Sequence, residues 1–268
     1  MLAFILTSRT WYAAAMIALG ITGLVNGDFA LAWQHPPLHH LPGRMVIAYV
    51  CAVIELTTGI GLLFKPTLIL ACRILFPYML LWLVLLELPV VVQLPLSTDT
   101  WGTFGEVAII AAGSWGLFAA HAGAWEREHL KFAVGSNGIR LARALFIISL
   151  PMIGLEVIFD AAKTGIGIMP PWLAVLPFSL AWAYLYGIGS LAAFLGMLFK
   201  VWPRLAATLE AAMIGVIAVA YWGPWLHTGR TATTAFLISA AIACGAWVIA
   251  DTYRGVPWLA VGRTNQSA

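Results

Sequence analysis

Charged side chains are scarce in this sequence. Asp, Glu, Lys and Arg make up 9% of its 268 residues, and hydrophobic residues make up 62%. Soluble domains contain ~25% charged residues on average. A soluble fold of this composition would have too few polar side chains to cover its surface. The scarcity therefore excludes an ordinary soluble domain, and the lipid bilayer becomes the expected solvent and first partner of the chain.

The few charges form no basic stripe, and cysteine is sparse. The formal net charge is +3 with the lysines and arginines spread along the chain, which excludes the clustered cations of a nucleic-acid-binding surface. Cys51, Cys72 and Cys244 all lie within apolar runs and form neither a CxxC pair nor a zinc-ligand spacing. We expect all three to be small buried hydrophobes.

Motifs of familiar enzyme chemistry are missing as well. The sequence contains no P-loop, no GxGxxG after a predicted strand, no GxSxG and no HExxH. His35, His39 and His40 share one polar, proline-rich loop and could bind a metal or protonate together. Neither their spacing nor their surroundings match a zinc or haem site, so we expect a solvated loop and no metal site.

Long apolar segments are what the sequence does contain. Eight of them are long enough to cross a bilayer as helices, so the predicted fold is all-α and polytopic. The segment near the N-terminus has no clear cleavage site and is predicted to be an uncleaved first span. The third segment can extend past Pro89 to Leu94. The predicted spans are 11–27, 45–64, 67–88, 104–121, 142–159, 178–199, 204–221 and 233–251.

Two turns of nearly the same sequence divide the chain into similar halves. Gly61-Leu62-Leu63-Phe64-Lys65-Pro66 returns as Gly196-Met197-Leu198-Phe199-Lys200, with Pro203 just beyond. Aromatic and lysine side chains suit a membrane–water boundary, and proline suits the start of the next helix. Each copy is therefore predicted to be the turn of a helical hairpin at one membrane face.

Other residues repeat in register with these turns. The matching pairs are separated by 132 to 135 residues and include Arg9 with Arg143, Pro36-Pro37 with Pro170-Pro171, and Gly113 with Gly245. This register favours a tandem duplication over chance likeness between apolar helices. The expected architecture is two four-helix bundles in the same orientation: a first repeat at 1–122, a linker at 123–140, a second repeat at 141–255 and a tail at 256–268.

Basic residues predict the orientation of the spans. Eleven of the 14 lysines and arginines fall on the side that holds both termini, both lysine turns and the linker. Cytoplasmic loops carry such an excess, so both termini are predicted to lie in the cytoplasm, with the chain in a bacterial inner membrane. Charges crowd only in the linker, which is predicted to be solvated or to form a helix along the membrane surface.

The arrangement resembles the DoxX-like membrane proteins, over about 9–119 and again over 143–252. The matching residues are Gly23-Leu24-Val25-Asn26-Gly27, Pro42-Gly43-Arg44, Glu55-Leu56-Thr57-Thr58-Gly59 and Trp101-Gly102-Thr103-Phe104-Gly105-Glu106. The family is typically one four-helix unit, so this chain resembles a fused pair. Some members resemble subunits of thiosulfate:quinone oxidoreductases, which implies a redox-associated membrane subunit here, with quinone as a possible cofactor.

Acidic residues inside the spans are the candidate site. Glu55 lies midway along the second span, with Glu87 and Glu106 nearer the outer face, where Arg44 begins the second span. Ionisable groups in a membrane are costly and tend to line polar pockets or bind neighbouring helices. These four residues predict a polar intramembrane pocket that could accept protons or bind a quinone headgroup, or else a set of interhelical bonds.

The second half departs from this pattern. Ser190 stands near the position of Glu55 and Ile238 near that of Glu106, while Glu210 aligns with Arg73. Arg73 and Glu210 could pair only if both lie close to an axis between the halves. Three functions remain open: an accessory subunit of a quinone-linked system, a carrier for a small lipophilic or acidic molecule, and a scaffold for a membrane or periplasmic partner. The sequence does not decide whether the chain is an enzyme.

Overall fold

The computed structural model describes residues 7–29, 43–164 and 179–262, apart from a few side chains at 164, 179, 221, 225, 227 and 228. Within these ranges the chain is helical and contains no strand, only an isolated bridge between Val201 and Val261. The predicted histidine loop, with His35, His39 and His40, lies outside the described residues, as do both proline pairs.

Nine helices follow one another along the described residues. They are α1 (Ser8–Asn26), α2 (Arg44–Leu63), α3 (Leu68–Gln93), α4 (Thr98–His121), α5 (Ala124–His129), α6 (Gly135–Thr164), α7 (Ser179–Leu198), α8 (Pro203–Ile217) and α9 (Arg230–Asp251). Seven of them, α2 to α4 and α6 to α9, are long and apolar enough to cross a membrane. The chain is therefore a multi-pass membrane protein.

The observed helix bounds agree with the predicted ones where apolar runs define them. They differ where polar residues lie inside a helix. The third span does continue past Pro89, to Gln93. By contrast, α6 begins at Gly135, inside the predicted linker at 123–140. Ser136, Asn137 and Gly138 occupy its first turn, where polar side chains favour helix starts rather than end a helix.

Prolines make α3 irregular. Pro77 lies inside the helix, and a π-helical turn spans Leu83–Glu87 just before Pro89. A proline has no N–H to donate to the carbonyl four residues earlier, so the regular hydrogen-bond ladder is interrupted at each site. The π turn absorbs the interruption and places Glu87 at its end, buried at 5% exposure.

The two groups of four long helices interlock. Sequential neighbours pack together from α1 to α4 and from α6 to α9, while α4 also packs on α6 and α9 packs on both α1 and α4. At the α4–α9 crossing, a methyl group on Gly113 would lie 2.6 Å from the Cα of Gly245. Helix α4 is the most enclosed span, with 72% of its apolar window buried against 28% for α7. The centre of the molecule is therefore the α4–α9 pair.

Contacts at one end of the bundle tie several chain segments together. Ser8 donates to Asp251, joining the start of α1 to the end of α9. Arg143 donates to Thr252, and the turn after α7 pairs with the C-terminal segment through Trp202 N–H and Ala260 O at 2.8 Å. The outer surface carries large exposed apolar side chains, as expected of helices that face lipid; on α2 they are Val46, Val50, Val53 and Ile60.

Candidate functional site

Glu55 is bonded to a phenol from the next helix. Its side chain lies in the middle of α2 and is 2% exposed. The hydroxyl of Tyr78, on α3, donates to Glu55 Oε1 at 2.8 Å. Tyr12 of α1 also lies within electrostatic range of Glu55. The carboxyl group is thus held between three helices of the first half, which stabilises their packing and presents a carboxyl–phenol pair inside the membrane.

The second half contains a similar bond with the two helices exchanged. Glu210 lies on α8 and is 1% exposed. It accepts a hydrogen bond from Ser190 Oγ of α7 at 2.8 Å, while its Oε2 has no hydrogen-bond partner among the described residues. In the first half the acid is on the second span and the hydroxyl on the third; here the order is reversed. The alignment of Ser190 with Glu55 suggested that the second half lacks a buried acid. The structure shows that it has one, Glu210.

Three further glutamates lie on α3, α4 and α6, and α4 packs against both of the other two helices. We call Glu87 on α3, Glu106 on α4 and Glu156 on α6 the acidic cluster. Glu106 interacts electrostatically with Glu87, and Glu156 interacts with Glu106. The carboxyl of Glu156 packs directly on the backbone of Gly102, where a methyl group would lie 1.6 Å from Oε2. Because Gly102 has no side chain, the Glu156 carboxyl can pack against α4 one turn before Glu106.

Within the part of the chain that the structure describes, Glu87 and Glu210 are buried, Glu106 and Glu156 are half-buried, and none of the four is in a salt bridge. The salt bridges found there involve Asp28, Glu126 and Asp251, and none involves the acidic cluster or Glu210. Tyr186 of α7 lies within electrostatic range of Glu106, Glu156 and Glu210. The acids are thus surrounded by hydroxyl groups and by one another. In hydrocarbon, a carboxyl group without a cation is least costly with a proton bound.

Arg44, the fourth residue of the predicted pocket, is paired with an aspartate. Its Nη2 lies 2.8 Å from Asp28 Oδ1, and Arg230, at the start of α9, lies 3.1 Å from Asp28 Oδ2. Partial burial raises the pKa of Asp28, but hydrogen bonds from Arg44, the Phe29 N–H and Arg230 outweigh it and leave that pKa below its usual value. Arg44 therefore joins the ends of α1, α2 and α9.

A second polar site lies at the opposite end of α3. Arg73 Nε donates to Glu126 Oε1, so Arg73 does not pair with Glu210. Glu126 belongs to α5 in the predicted solvated linker, yet it is 1% exposed. The pair lines a cavity of about 670 Å³ together with Phe76, Pro77, Phe118, Trp125 and Leu130. The hydrogen bond from Arg73 holds the pKa of Glu126 below its usual range.

Removal of the Arg73–Glu126 ion pair should lower the stability of the protein by an amount that depends on pH. Because the pKa of Glu126 is lower in the folded state than the ~4.3 of a free glutamate, the pair stabilises the fold above that value. The stabilisation is lost as the pH falls through the folded pKa. Arg73→Gln should cost about 1–3 kcal/mol at pH 7, since Arg73 is partly exposed, and less at pH 3 than at pH 7.

Thermal unfolding in detergent at pH 7, 5 and 3 measures this difference. Arg140→Gln is the matched control, because Arg140 is exposed near the same end and has no salt bridge among the described residues. Its effect should be small at every pH. A constant difference between Arg73→Gln and the wild type from pH 7 to pH 3 would contradict the ion pair.

Comparison with known proteins identifies no relative: no family model matches the chain, and neither the curated proteins nor the solved structures contain a match.

Proposed function

We propose that this chain is an eight-span protein of the bacterial cytoplasmic membrane, formed by two fused DoxX-like units with both termini in the cytoplasm. The eighth crossing is α1, whose 19 residues pack along α2 and α9. The packing supports a duplication, because α1 meets α9 as α6 meets α4. Gly113 and Gly245, which the repeat register pairs, lie together at the α4–α9 crossing, as expected if a twofold axis between the halves passes near them.

The proposed role is that of an accessory subunit in a quinone-linked redox system, either respiratory or sulfur-oxidising. The observation that carries this proposal is the set of carboxyl groups inside the apolar helices, Glu87, Glu106, Glu156 and Glu210, for which the described residues provide no salt bridge. Reduction of a quinone takes up two protons, and a carboxyl group that holds a proton inside the membrane can deliver one. Glu106 is the central candidate, because it lies on α4 one turn after Gly102, on which the Glu156 carboxyl packs.

A partner protein would supply the electrons, since a quinone is reduced only when electrons arrive with the protons. The proposed docking end is the outer one, where Asp28, Arg44 and Arg230 form an ion-pair group that is partly exposed. Such groups fix the ends of helices and leave charge available to a second membrane protein or a periplasmic protein.

Glu106→Gln tests the redox role. We expect quinone reduction in membranes that contain the protein and its native partners to fall at least about tenfold, because the variant keeps the shape of the side chain but cannot transfer a proton. Glu128→Gln is the control, since Glu128 is an exposed carboxylate on α5. Unchanged quinone reduction in Glu106→Gln membranes would contradict the proposed role.

A carrier for a small lipophilic or acidic molecule is the second candidate. It is favoured by the position of Glu156, whose carboxyl packs on Gly102 of α4, one turn before Glu106, where the halves meet. A carrier reconstituted in liposomes would move a small acid such as benzoate, and Glu156→Gln would abolish that movement. An accessory redox subunit would show no such transport in either form.

A further inference from the structure

We propose that the cavity between α3, α4 and α5 binds the headgroup of a quinone and of its quinol. This inference rests on the quinone-linked function proposed above and assigns it a binding site near Phe118. Phe118 lies twelve residues, or ~18 Å, along α4 from Glu106, so a proton from Glu106 would reach the headgroup through intervening groups and not by direct contact. The site lies at the end of the bundle where Ser8 meets Asp251, away from the polar pocket that the sequence predicted around Glu55, Glu87 and Glu106.

Aromatic side chains form the wall of the cavity. Phe76 of α3 stacks on Phe118 of α4 with ring centroids 5.1 Å apart and planes at 15°, and lies 5.0 Å from Trp115. Trp125 and Leu130 line the same cavity from α5 and the residue after it. A flat ring packs well against such a wall. The volume of about 670 Å³ is within the range of small-molecule sites.

Polar groups in the cavity provide donors and acceptors. The Arg73 side chain is 46% exposed and keeps guanidinium N–H groups available beyond its bond to Glu126. Glu126 Oε2 is buried and has no hydrogen-bond partner within the described ranges. Pro77 cannot donate to the Arg73 carbonyl, which leaves another acceptor on the helix face that lines the cavity. A quinone oxygen would accept from Arg73, and a quinol hydroxyl would donate to Glu126.

The charges in the cavity select a neutral headgroup. Arg73 and Glu126 already neutralise one another, so the pair adds no net charge to the site. A fatty acid would bring its carboxylate against Glu126, and a cationic amphiphile would bring its charge against Arg73, each at a desolvation cost. Quinones and quinols carry only neutral oxygens on a ring, and they exchange the same hydrogen bonds without that cost.

The position of the cavity suits a molecule with a long apolar tail. Arg73 and Pro77 lie five and nine residues beyond the start of α3, which corresponds to ~8 and ~14 Å along the helix. The polar groups therefore lie near the membrane surface, while the deeper wall reaches into the apolar layer. Leu70 and Ile74 of the same helix are exposed and would lie beside the tail as it enters the bilayer.

Binding of decylubiquinone and decylubiquinol to the full-length protein in lipid nanodiscs tests the assignment. Phe118→Ala and Arg73→Gln should each raise the Kd for the quinone at least tenfold. Glu126→Leu should weaken the quinol more than the quinone, because only the quinol donates to the carboxylate. Phe132→Ala, a change at an exposed residue outside the cavity lining, is the matched control and should bind like the wild type.

Two further variants separate this inference from the function on which it rests. Glu55→Gln and Glu106→Gln should leave the Kd unchanged if the cavity is the site. Binding that is lost in either of these variants but kept in Phe118→Ala and Arg73→Gln would overturn the cavity and leave the quinone-linked function standing. No binding by the wild type, with quinone reduction still dependent on Glu106, would also overturn the cavity alone.

Photolabelling uses only the wild-type protein, so its result does not depend on whether the variants fold. An azido-benzoquinone bound in the cavity should label peptides that contain residues 73–77 or 115–130. Label confined to peptides that contain Glu55, Glu106 or Glu210 would overturn the assignment.

Discussion

Gly113→Val or Gly245→Val should leave little stably folded protein. A methyl group at Gly113 would lie 2.6 Å from the Cα of Gly245, and one at Gly245 would lie 2.8 Å from the carbonyl oxygen of Ile109. These neighbours are backbone atoms, which cannot turn aside as the end of a side chain can. Helices α4 and α9 would have to separate, and the contacts between the two halves of the molecule would open with them.

The expected cost is at least ~3 kcal/mol, the upper part of the range for overpacked cores. Size-exclusion chromatography and thermal unfolding in detergent measure it. Gly215→Ala is the matched control, because Gly215 also lies in a helix that packs on α9, and a methyl group there would meet Ala243 Cβ at an ordinary 3.8 Å. That variant should unfold at or slightly above the wild-type temperature, since alanine favours helix. A Gly113→Val protein as stable as the control would contradict the close crossing.

The helices themselves could be predicted well from the sequence, because hydropathy and length decide where a chain can cross a bilayer. Seven apolar helices are found where seven of the eight spans were predicted. Polar residues were harder to interpret. Ser136 and Asn137 suggested a linker, but the same residue types also begin helices, and only the packing of α6 against α4 decides between the two.

Which helices pack together could not be predicted. The repeat pattern pairs Gly113 with Gly245 as equivalent positions, and the structure shows that they are also neighbours. Sequence equivalence alone does not imply contact, because two equivalent residues meet only if they lie near the axis that relates them. Arg73 and Glu210 illustrate the other outcome, since they are aligned in the sequence but bond to Glu126 and Ser190 instead.

The bonding partners of the candidate site residues could not be predicted for a similar reason. An ionisable residue inside a span indicates that a partner is needed, and this signal made Glu55, Glu87 and Glu106 the candidates. It could not identify the partners, because Tyr78 lies 23 residues from Glu55, and Glu126 lies 53 residues from Arg73. Glu126 lies among the charged residues of the predicted linker, and such residues are usually exposed. It is buried with a bond from Arg73, which the sequence does not reveal.

Tyr12→Ala and Phe146→Ala should each destabilise the protein strongly and by similar amounts. Both side chains are completely buried, Tyr12 on α1 and Phe146 on α6. They stand 134 residues apart, the separation that also relates Arg9 to Arg143. Replacing a buried aromatic ring by a methyl group leaves a cavity, and the side chains around it lose contacts. The free energy of unfolding should fall by ~3–5 kcal/mol. Tyr12→Phe should cost only ~1 kcal/mol, because it removes just the hydrogen bond from the hydroxyl to Ile110 O.

The comparison between the two alanine variants tests the duplication as well as the packing. If α1 rests on α9 as α6 rests on α4, the two rings fill equivalent spaces and their loss should lower the unfolding temperature alike. Val25→Ala on α1 and Leu155→Ala on α6 are the controls, since both side chains are exposed on the outer surface, at 80% and 42%, and should change little. A large loss for Tyr12→Ala with none for Phe146→Ala would mean that the halves share a sequence pattern without sharing a packing arrangement.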